Sequence, residues 1–353
     1  MRTTLRRLSP LLSFTASLLI LVVGWNRIEN KVRERPTIAE DSILTSDELA
    51  NLPPGTLAAV LPQTPGSGPE SLGYRILELS LRRSGRPFAL GYGSGLTDQE
   101  ASIQRLEAGP EVSRSNPNGL TVGMFGVGRE IHDRLRPIPV PVAGGLLGLR
   151  AFWVNRNRAD RFRSVVDRQD LDGTVAVQGI GWSDAQILVA SGLRTYTTEP
   201  SLILDLLSQD RVDFYPKGIS ELEQDHRLIG RDYPMVELEE NLLLAYPFAL
   251  MYYVHPDNAA LAEAIRTGLE RAIADGSHRR LLQRHVFTPW LRRKLRLPQR
   301  RVISLPNRDD EALLAEVDPR HWLIPWRDFA AGGISRGEQL CATGALEELC
   351  DGR

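Results

Sequence analysis

The chain has 353 residues, of which 42% are hydrophobic and 25% are charged. These values are ordinary for a soluble globular protein, and the length suffices for one large or two medium domains. The formal net charge is -1, so the overall charge gives no reason to expect a polyanionic partner.

Residues 1–24 are predicted to be an export signal. Arg2, Arg6 and Arg7 give a basic start, and the apolar run 11–23 follows it. The run is shorter than the roughly 20 apolar residues that a bilayer span needs, so a secretory signal fits better. Cleavage and retention as an uncleaved anchor both stay open. We therefore expect the protein in the periplasm, or anchored in the inner membrane and facing the periplasm.

Residues 25–55 are polar and contain Pro36, Pro53 and Pro54, which predicts a spacer between membrane and domain. The folded part is predicted to begin at Thr56. From there, short apolar runs alternate with helical patterns. The predicted strands are 56–61, 88–92, 120–125, 146–154, 174–178, 195–197, 212–215 and 243–254, and the predicted helices are 72–81, 99–106, 183–190, 202–207 and 261–273. This alternation predicts an α/β fold with a mostly parallel sheet and helices on its faces.

Four segments, taken in their order and spacing, resemble the type 2 periplasmic solute-binding proteins, in the branch related to polar amino-acid binding proteins of ABC transporters. They are the strand-to-helix turn 181–188, the helix-then-strand segment 206–218, the apolar strand 243–254 and the closing helix and turn 272–277. The resemblance implies two lobes joined by two crossover strands, with the ligand held between them by hinge closure.

The resemblance also implies a division of the chain. Its parts are the first part of lobe 1 (56–148), lobe 2 (149–248), the return to lobe 1 with a basic extension (249–330) and a tail (331–353).

The function that the resemblance implies is non-covalent capture of a small polar or anionic solute for the membrane permease of an ABC-type transporter. An anchored sensor module that signals through a partner, and a degenerate relative with a structural or unknown enzymatic role, stay open as alternatives. No catalytic or nucleotide-binding motif of a common type is present in the sequence, so no enzymatic activity and no cofactor are expected.

The turn formed by Gly181, Trp182, Ser183 and Asp184 is a candidate ligand contact. Glycine lets the backbone approach a ligand closely, and free N–H groups at a helix start attract anions. Ser183 or Asp184 could equally cap the helix itself.

Two arginines are candidates for gripping an anion. Arg129 lies near the place where amino-acid binding relatives carry an arginine that binds the ligand carboxylate, and its alternative is a surface pair with Glu130 or Asp133. Arg150 lies inside an apolar strand near the predicted crossover, where a charge needs a partner. Its alternative is an outward position on an edge strand.

Lys217 lies at the end of a predicted strand, where ligands gather in α/β sheets, although a solvated loop lysine is the alternative. The next residue, Gly218, stands where amino-acid binding relatives carry the carboxylate for the ligand ammonium. This difference argues against an ordinary amino acid as the ligand. Tyr92, Trp153 and Tyr215 are candidates for the walls of the cleft, or else for the core.

Cys341 and Cys350 could form a disulfide in an exported protein, or remain free on a mobile tail. Without nearby paired histidines they do not predict a metal site. The basic stretch Arg279–Arg301 could contact an anionic membrane surface, or simply form a solvated face. Export makes nucleic acid an unexpected partner.

Overall fold

The computed structural model describes residues 42–64, 66–116 and 119–350. The predicted export signal and residues 25–41 of the predicted spacer lie outside them. Within the described part of the chain, no helix combines the length and the apolar character that a membrane crossing requires.

The strands form two groups, which confirms the predicted α/β fold with two crossings between the groups. The first group contains a parallel pair, β1 (Leu57–Gln63) and β2 (Phe88–Leu96), and an antiparallel sheet in the order β3 (Gly123–Gly126), β11 (Leu250–Val254), β4 (Arg136–Ile138). The second is one sheet in the order β12 (Arg301–Ser304), β10 (Leu242–Ala245), β5 (Leu149–Asn155), β8 (Phe214–Gly218), β6 (Val175–Gly179), β7 (Arg194–Thr198), with β9 (Val236–Leu238) also paired to β5. We call these groups and their helices the first and second lobes.

Helices connect and cover the strands. In chain order they are α1 (Ser46–Ala50), α2 (Leu72–Ser84), α3 (Gln99–Glu107), α4 (Gly109–Ser115), α5 (Arg129–Arg134), α6 (Asp184–Ala190), α7 (Ile203–Ser208), α8 (Leu222–Asp232), α9 (Ala259–Ala274), α10 (Ser277–His285), α11 (Pro289–Leu295), α12 (Glu311–Ala315), α13 (Trp326–Ala330), α14 (Gly337–Ala342) and α15 (Glu347–Cys350).

Before residue 255 the chain crosses twice between the lobes. It passes to the second lobe through a 3₁₀ turn at Leu146–Gly148 that leads into β5. It returns between β10 and β11, where the sequence predicts one continuous strand. Pro247 lies in this gap, and proline has no N–H to donate to a sheet ladder. The apolar run is therefore split, and its two halves belong to different sheets.

The predicted spacer needs a correction at its end, because residues 42–55 include α1 and are not simply extended. The Thr45 hydroxyl accepts a hydrogen bond from Glu48 N, and the Glu48 carboxylate accepts one from Thr45 N, which caps the helix. Leu49 is buried, and Leu44 N donates to Tyr92 O at 2.9 Å. These contacts attach the segment to the first lobe.

The predicted return to lobe 1 also needs a correction after residue 300. The strand β12 pairs in parallel with β10 and so extends the second sheet. All four residues of β10 are buried, and β12 supplies the hydrogen-bonding partner on its outer side. The chain then runs back past the crossing, where Asn307 Nδ2 donates to Pro247 O at 3.0 Å and Leu323 N donates to Gly144 O at 2.8 Å.

The basic stretch Arg279–Arg301 comprises α10, α11 and the turn into β12. Part of its charge is used within the chain. Arg279 pairs with Glu348, and Arg296 Nη1 lies 3.1 Å from Glu240 Oε2. Arg300 is 1% exposed and donates to Leu242 O and Glu239 O. These arginines stabilise the fold, so membrane contact through this stretch remains a prediction for its other basic residues.

Candidate functional site

The strands β6 and β8 are parallel, so their carboxyl ends lie at the same edge of the second sheet. The turn into α6 follows β6, and the turn into α8 follows β8. Three of the contacts between the lobes are made at this edge. Gln99 Nε2 donates to Gly181 O at 2.6 Å, and Gln224 Nε2 donates to Gly66 O at 3.3 Å.

The third contact depends on a glycine. A Cβ added to Gly126 would stand 3.0 Å from Ser183 Oγ and 2.5 Å from the Phe248 ring, so glycine permits this approach of the two lobes. Gly181, in turn, has a φ of +79°, which L side chains adopt at a cost. The predicted turn 181–184 therefore lies between the lobes, as a ligand contact would require.

Ser183 occupies the cap position of α6 but makes no capping hydrogen bond. Asp184 turns inward and forms an ion pair with Arg150, with Arg150 Nη2 2.8 Å from Asp184 Oδ2 and both side chains 4% exposed. The same oxygen accepts hydrogen bonds from Gln178 Nε2 at 3.0 Å and from Tyr246 Oη at 3.1 Å. We call these four residues, Arg150, Gln178, Asp184 and Tyr246, the buried polar network.

The buried polar network joins both crossings to the second lobe. Arg150 belongs to β5, and its guanidinium lies 5.5 Å from the Tyr246 ring centroid and 5.4 Å from that of Phe248. Burial disfavours the charged guanidinium, but Asp184, Tyr246, Glu221 and Tyr215 together outweigh this effect, and the pKa of Arg150 is raised. Arg150 is therefore a positioning residue already neutralised inside the protein, and the predicted anion clamp is not supported.

Lys217 lies near the end of β8, at this edge of the second sheet. Its Nζ is 3.4 Å from Glu221 Oε1, 4.0 Å from Asp225 Oδ2, 5.2 Å from the Trp182 ring centroid and 5.6 Å from the Tyr215 ring centroid. The Lys217 side chain is 12% exposed, so the alternative of a solvated loop lysine is wrong. We call these five residues, Trp182, Tyr215, Lys217, Glu221 and Asp225, the aromatic–carboxylate pocket.

Electrostatics in the aromatic–carboxylate pocket favour positive charge. Burial opposes the charge on Lys217, but Asp225 and Glu221 outweigh it and raise the pKa of Lys217 well above its ordinary value. Burial raises the pKa of Asp225 to about 6, while Lys217 opposes that shift. The aromatic walls are held in place by close packing, since a Cβ on Gly179 would stand 2.5 Å from the Trp182 ring.

The remaining predicted contacts lie outside the pocket. Tyr92 is 2% exposed, and its hydroxyl donates to Gly68 O at 2.9 Å and accepts from Gly68 N at 3.0 Å. It therefore shapes the loop that also carries Gly66, which contacts the second lobe. Arg129 is exposed at the start of α5 and donates to Asp309 O at 3.2 Å, so its predicted pairing with Glu130 or Asp133 is not found.

Sequence reasoning did not assign Glu221, Asp225 or Tyr246 to the site. Glu221 and Asp225 are four residues apart at the start of α8, a spacing that places two side chains on one helix face. That spacing, beside a strand-terminal lysine, was the available signal.

Cys341 and Cys350 are joined by a disulfide.

A separate pocket of about 300 Å³ opens in the first lobe between α3 and α4, lined in part by Ala101, Gln104, Arg105 and Val112. It contains none of the predicted site residues.

Among the described residues, no group of histidine, cysteine, aspartate and glutamate side chains is arranged to hold a metal ion.

No family model and no curated protein sequence matches the chain. Solved structures similar to it include an ancestral arginine-binding protein bound to arginine (15% identity, 65% of this chain and 98% of that chain, TM-score 0.47). Another is a putative binding component of an ABC transporter from Wolinella succinogenes, complexed with lysine (12% identity, 67% and 98%, TM-score 0.49). A third is a histidine kinase sensor domain with similarity to periplasmic binding proteins (12% identity, 65% and 96%, TM-score 0.46). The chain is thus similar to proteins of the class named by the sequence resemblance, and the proposals below rest on its own contacts.

Proposed function

We propose that the protein is an exported solute-binding protein that holds a small polar solute, without covalent chemistry, in the cleft between its lobes. The solute would then pass to the membrane permease of an ABC-type transporter. The observation that supports this proposal best is the aromatic–carboxylate pocket. Its polar and aromatic side chains lie at the carboxyl ends of β6 and β8, the edge of an α/β sheet where ligands characteristically bind.

The contacts around the pocket support the same proposal. Gln99, Gly66 and Gly126 of the first lobe reach the second lobe on the same side as Trp182 and Lys217. A solute bound there would touch both lobes, so binding energy could drive the predicted hinge closure. Trp182, Ser183 and Lys217 are the proposed contacts, and Arg150 and Asp184 hold the turn that presents them.

The contacts of three basic residues argue against an anionic solute. Arg150 pairs with Asp184, Lys217 lies between two carboxylates, and Arg129 donates to a backbone carbonyl. We therefore propose a neutral, zwitterionic or cationic polar solute.

A thermal-shift screen of small polar solutes tests the proposal. A ligand that binds only the folded state stabilises it by about 2.7 kcal/mol at 100 times its Kd. We expect at least one solute to raise the melting temperature of the wild type. Trp182→Ala should reduce that shift substantially, and Tyr196→Ala, which removes an aromatic ring 52% exposed on β7, should retain it. A panel of polar metabolites that leaves the wild-type melting temperature unchanged would contradict the proposal.

The sensor alternative depends on residues 1–24 being retained as an anchor. Sequencing the N-terminus of the mature protein separates the two roles. A mature protein that begins after the apolar run favours the transport receptor, and one that retains the run favours the sensor.

A further inference from the structure

Lys217 places an ammonium group beside two aromatic rings, at a similar distance from each. Its Nζ lies 5.2 Å from the Trp182 ring centroid and 5.6 Å from that of Tyr215, and the two rings are nearly parallel, with centroids 6.5 Å apart and an interplanar angle of 27°. The faces of tryptophan and tyrosine carry negative charge density that attracts cations within about 6 Å. Both rings thus contribute to holding a positive group at this point.

Two carboxylates surround the same ammonium group, and neither has a guanidinium partner. Glu221 Oε1 is 3.4 Å and Asp225 Oδ2 is 4.0 Å from Lys217 Nζ. The Asp225 Oδ2 atom is buried and has no hydrogen-bond partner of standard geometry within the described residues, although the Trp153 side chain is near enough to lower the pKa of Asp225. Two acids and one base leave the pocket with more acceptor capacity than Lys217 uses, since a buried carboxylate oxygen is ordinarily hydrogen-bonded.

The Lys217 side chain is long and flexible, and the strand that carries it does not depend on the position of its ammonium group. Its ammonium is carried on a flexible four-carbon stem, and its side chain is still 12% exposed. The adjacent strand is held by backbone pairing, with Ala151 opposite Lys217 and Arg150 opposite Gly218. A rotation about the side-chain bonds would therefore carry the ammonium toward solvent while β8 stays in place.

We propose that the aromatic–carboxylate pocket is a binding site for an organic cation, and that the Lys217 ammonium occupies this site from within the chain. The solute is then a molecule that carries an ammonium or guanidinium group. It replaces the Lys217 ammonium beside the Trp182 and Tyr215 rings and pairs with the carboxylates of Glu221 and Asp225. This inference rests on the proposed function, because it names the class of solute that the same cleft takes.

The test compares n-butylammonium, which has the length of a lysine side chain, with butyrate, its anionic counterpart. Calorimetric titration of Lys217→Ala should show binding of n-butylammonium at least about ten-fold tighter than that of the wild type, as expected for a recovered cation–π contact of about 1.4 kcal/mol. Butyrate should gain nothing. Lys294→Ala, which removes an exposed lysine on α11, should behave as the wild type. Adding Glu221→Gln to Lys217→Ala should remove most of the gain.

Two results would overturn the inference. One is a Lys217→Ala protein that binds n-butylammonium no better than the wild type. The other is a wild type that binds butyrate and a Lys217→Ala protein that does not, because Lys217 would then be an anion-binding residue. If Lys217→Ala does not fold, Lys217→Thr is the second variant, since threonine suits a β-strand and its short side chain leaves the ammonium position open. Its melting temperature should rise more with n-butylammonium chloride than with sodium chloride of equal ionic strength, and equal rises in the two salts would also overturn the inference.

Failure of this inference is distinguishable from failure of the proposed function. If the wild type binds some solute in the thermal-shift screen but Lys217→Ala gains no affinity for cations, the cleft binds solutes of another class. If no solute binds the wild type, the proposed function itself fails.

Discussion

At the scale of single residues, the ion pair between Arg150 and Asp184 is the most constrained feature of the site. Both side chains are almost completely buried, and Asp184 Oδ2 also accepts hydrogen bonds from Gln178 and Tyr246. Removing one charge of such a pair leaves the other uncompensated in a poorly solvated place. The pair therefore fixes the turn that carries Trp182 and Ser183 into the cleft.

Asp184→Asn is predicted to lower the free energy of unfolding by about 3–5 kcal/mol, because the buried Arg150 guanidinium loses its counter-charge. Chemical denaturation measures this change. Asp172→Asn is the matched control, since Asp172 pairs with Arg168 but its side chain is 59% exposed. The control should change stability by no more than about 1 kcal/mol. If the two variants lose the same free energy of unfolding, burial of the Arg150–Asp184 pair does not increase the cost of removing its charge, and the prediction is wrong.

Asp225 gives the pocket a pH dependence. Burial raises its pKa to about 6 from an ordinary value of 3.8, and Lys217 and Glu221 are the charged groups beside it. A carboxyl with a raised pKa in the folded state contributes stability that is fully present below pH 3.8 and is lost as the pH rises through 6. Between these values, ionisation costs more in the folded protein than in the unfolded chain.

Asp225→Asn is therefore predicted to gain stability relative to the wild type as the pH rises from 4 to 7, by about 2–3 kcal/mol over that interval. Denaturation at a series of pH values measures the difference between the two proteins. A difference that does not vary across this interval would contradict the raised pKa.

At the scale of elements, the segment after β12 forms a brace across the crossings. Asn307 contacts Pro247 on the return crossing. The Trp326 ring lies against Gly145 and Gly148 on the outward crossing, where an added Cβ would stand 3.1 Å and 2.8 Å from it. Since β12 belongs to the second sheet, the segment touches the hinge from both sides. Asn307 and Trp326, which lie outside the two crossings, therefore support them.

Trp326→Ala is predicted to lower the free energy of unfolding by about 2–3 kcal/mol, because it leaves a gap beside both glycines and beside the Phe329 ring. Chemical denaturation again provides the measurement. Arg320→Ala, which removes an ion pair from a side chain 86% exposed, is the control and should cost less than about 1 kcal/mol. A Trp326→Ala protein as stable as the control would show that the brace does not support the hinge.

Most elements of the two lobes follow from local pattern, because apolar alternation and helical period are local properties. The turn at Gly181 was predictable for the same reason. The break at Pro247 was missed because the apolar run 243–254 is continuous apart from that residue. The pairing of β12 with β10 depends on residues nearly 60 positions apart, which no local pattern records.

The site shows the same limit. The apolar strand around Arg150 predicts that this buried charge needs a partner. The partner is Asp184, which lies 34 residues further along the chain, in a turn where the sequence equally predicts a helix cap. Lys217 was predicted to contact an anion, yet the carboxylates of Glu221 and Asp225 lie beside it, and the proposed ligand is therefore a cation. The identity of a charged partner is a property of the folded chain, and it decides the class of solute.

At the scale of the whole molecule, the protein consists of two lobes that meet at one edge of the second sheet. Hydrogen bonds from Gln99 and Gln224 connect the lobes there, and hinge opening would have to break both. Each hydrogen bond contributes a net free energy of about 0.5–1.5 kcal/mol to stability. The free energy of solute binding can therefore offset the cost of breaking both. The overall charge of -1 implies little long-range attraction for a charged solute, and selectivity must come from the pocket itself.

The central claim is that a small polar solute binds in the cleft against Trp182. Calorimetric titration of the wild type, Trp182→Ala and Tyr196→Ala with the solute that most raises the melting temperature tests it most directly. We predict one bound solute per wild-type chain, at least about ten-fold weaker binding by Trp182→Ala, and unchanged binding by Tyr196→Ala. Binding by Trp182→Ala as tight as that of the wild type would contradict the account, because the solute would then lie elsewhere in the protein.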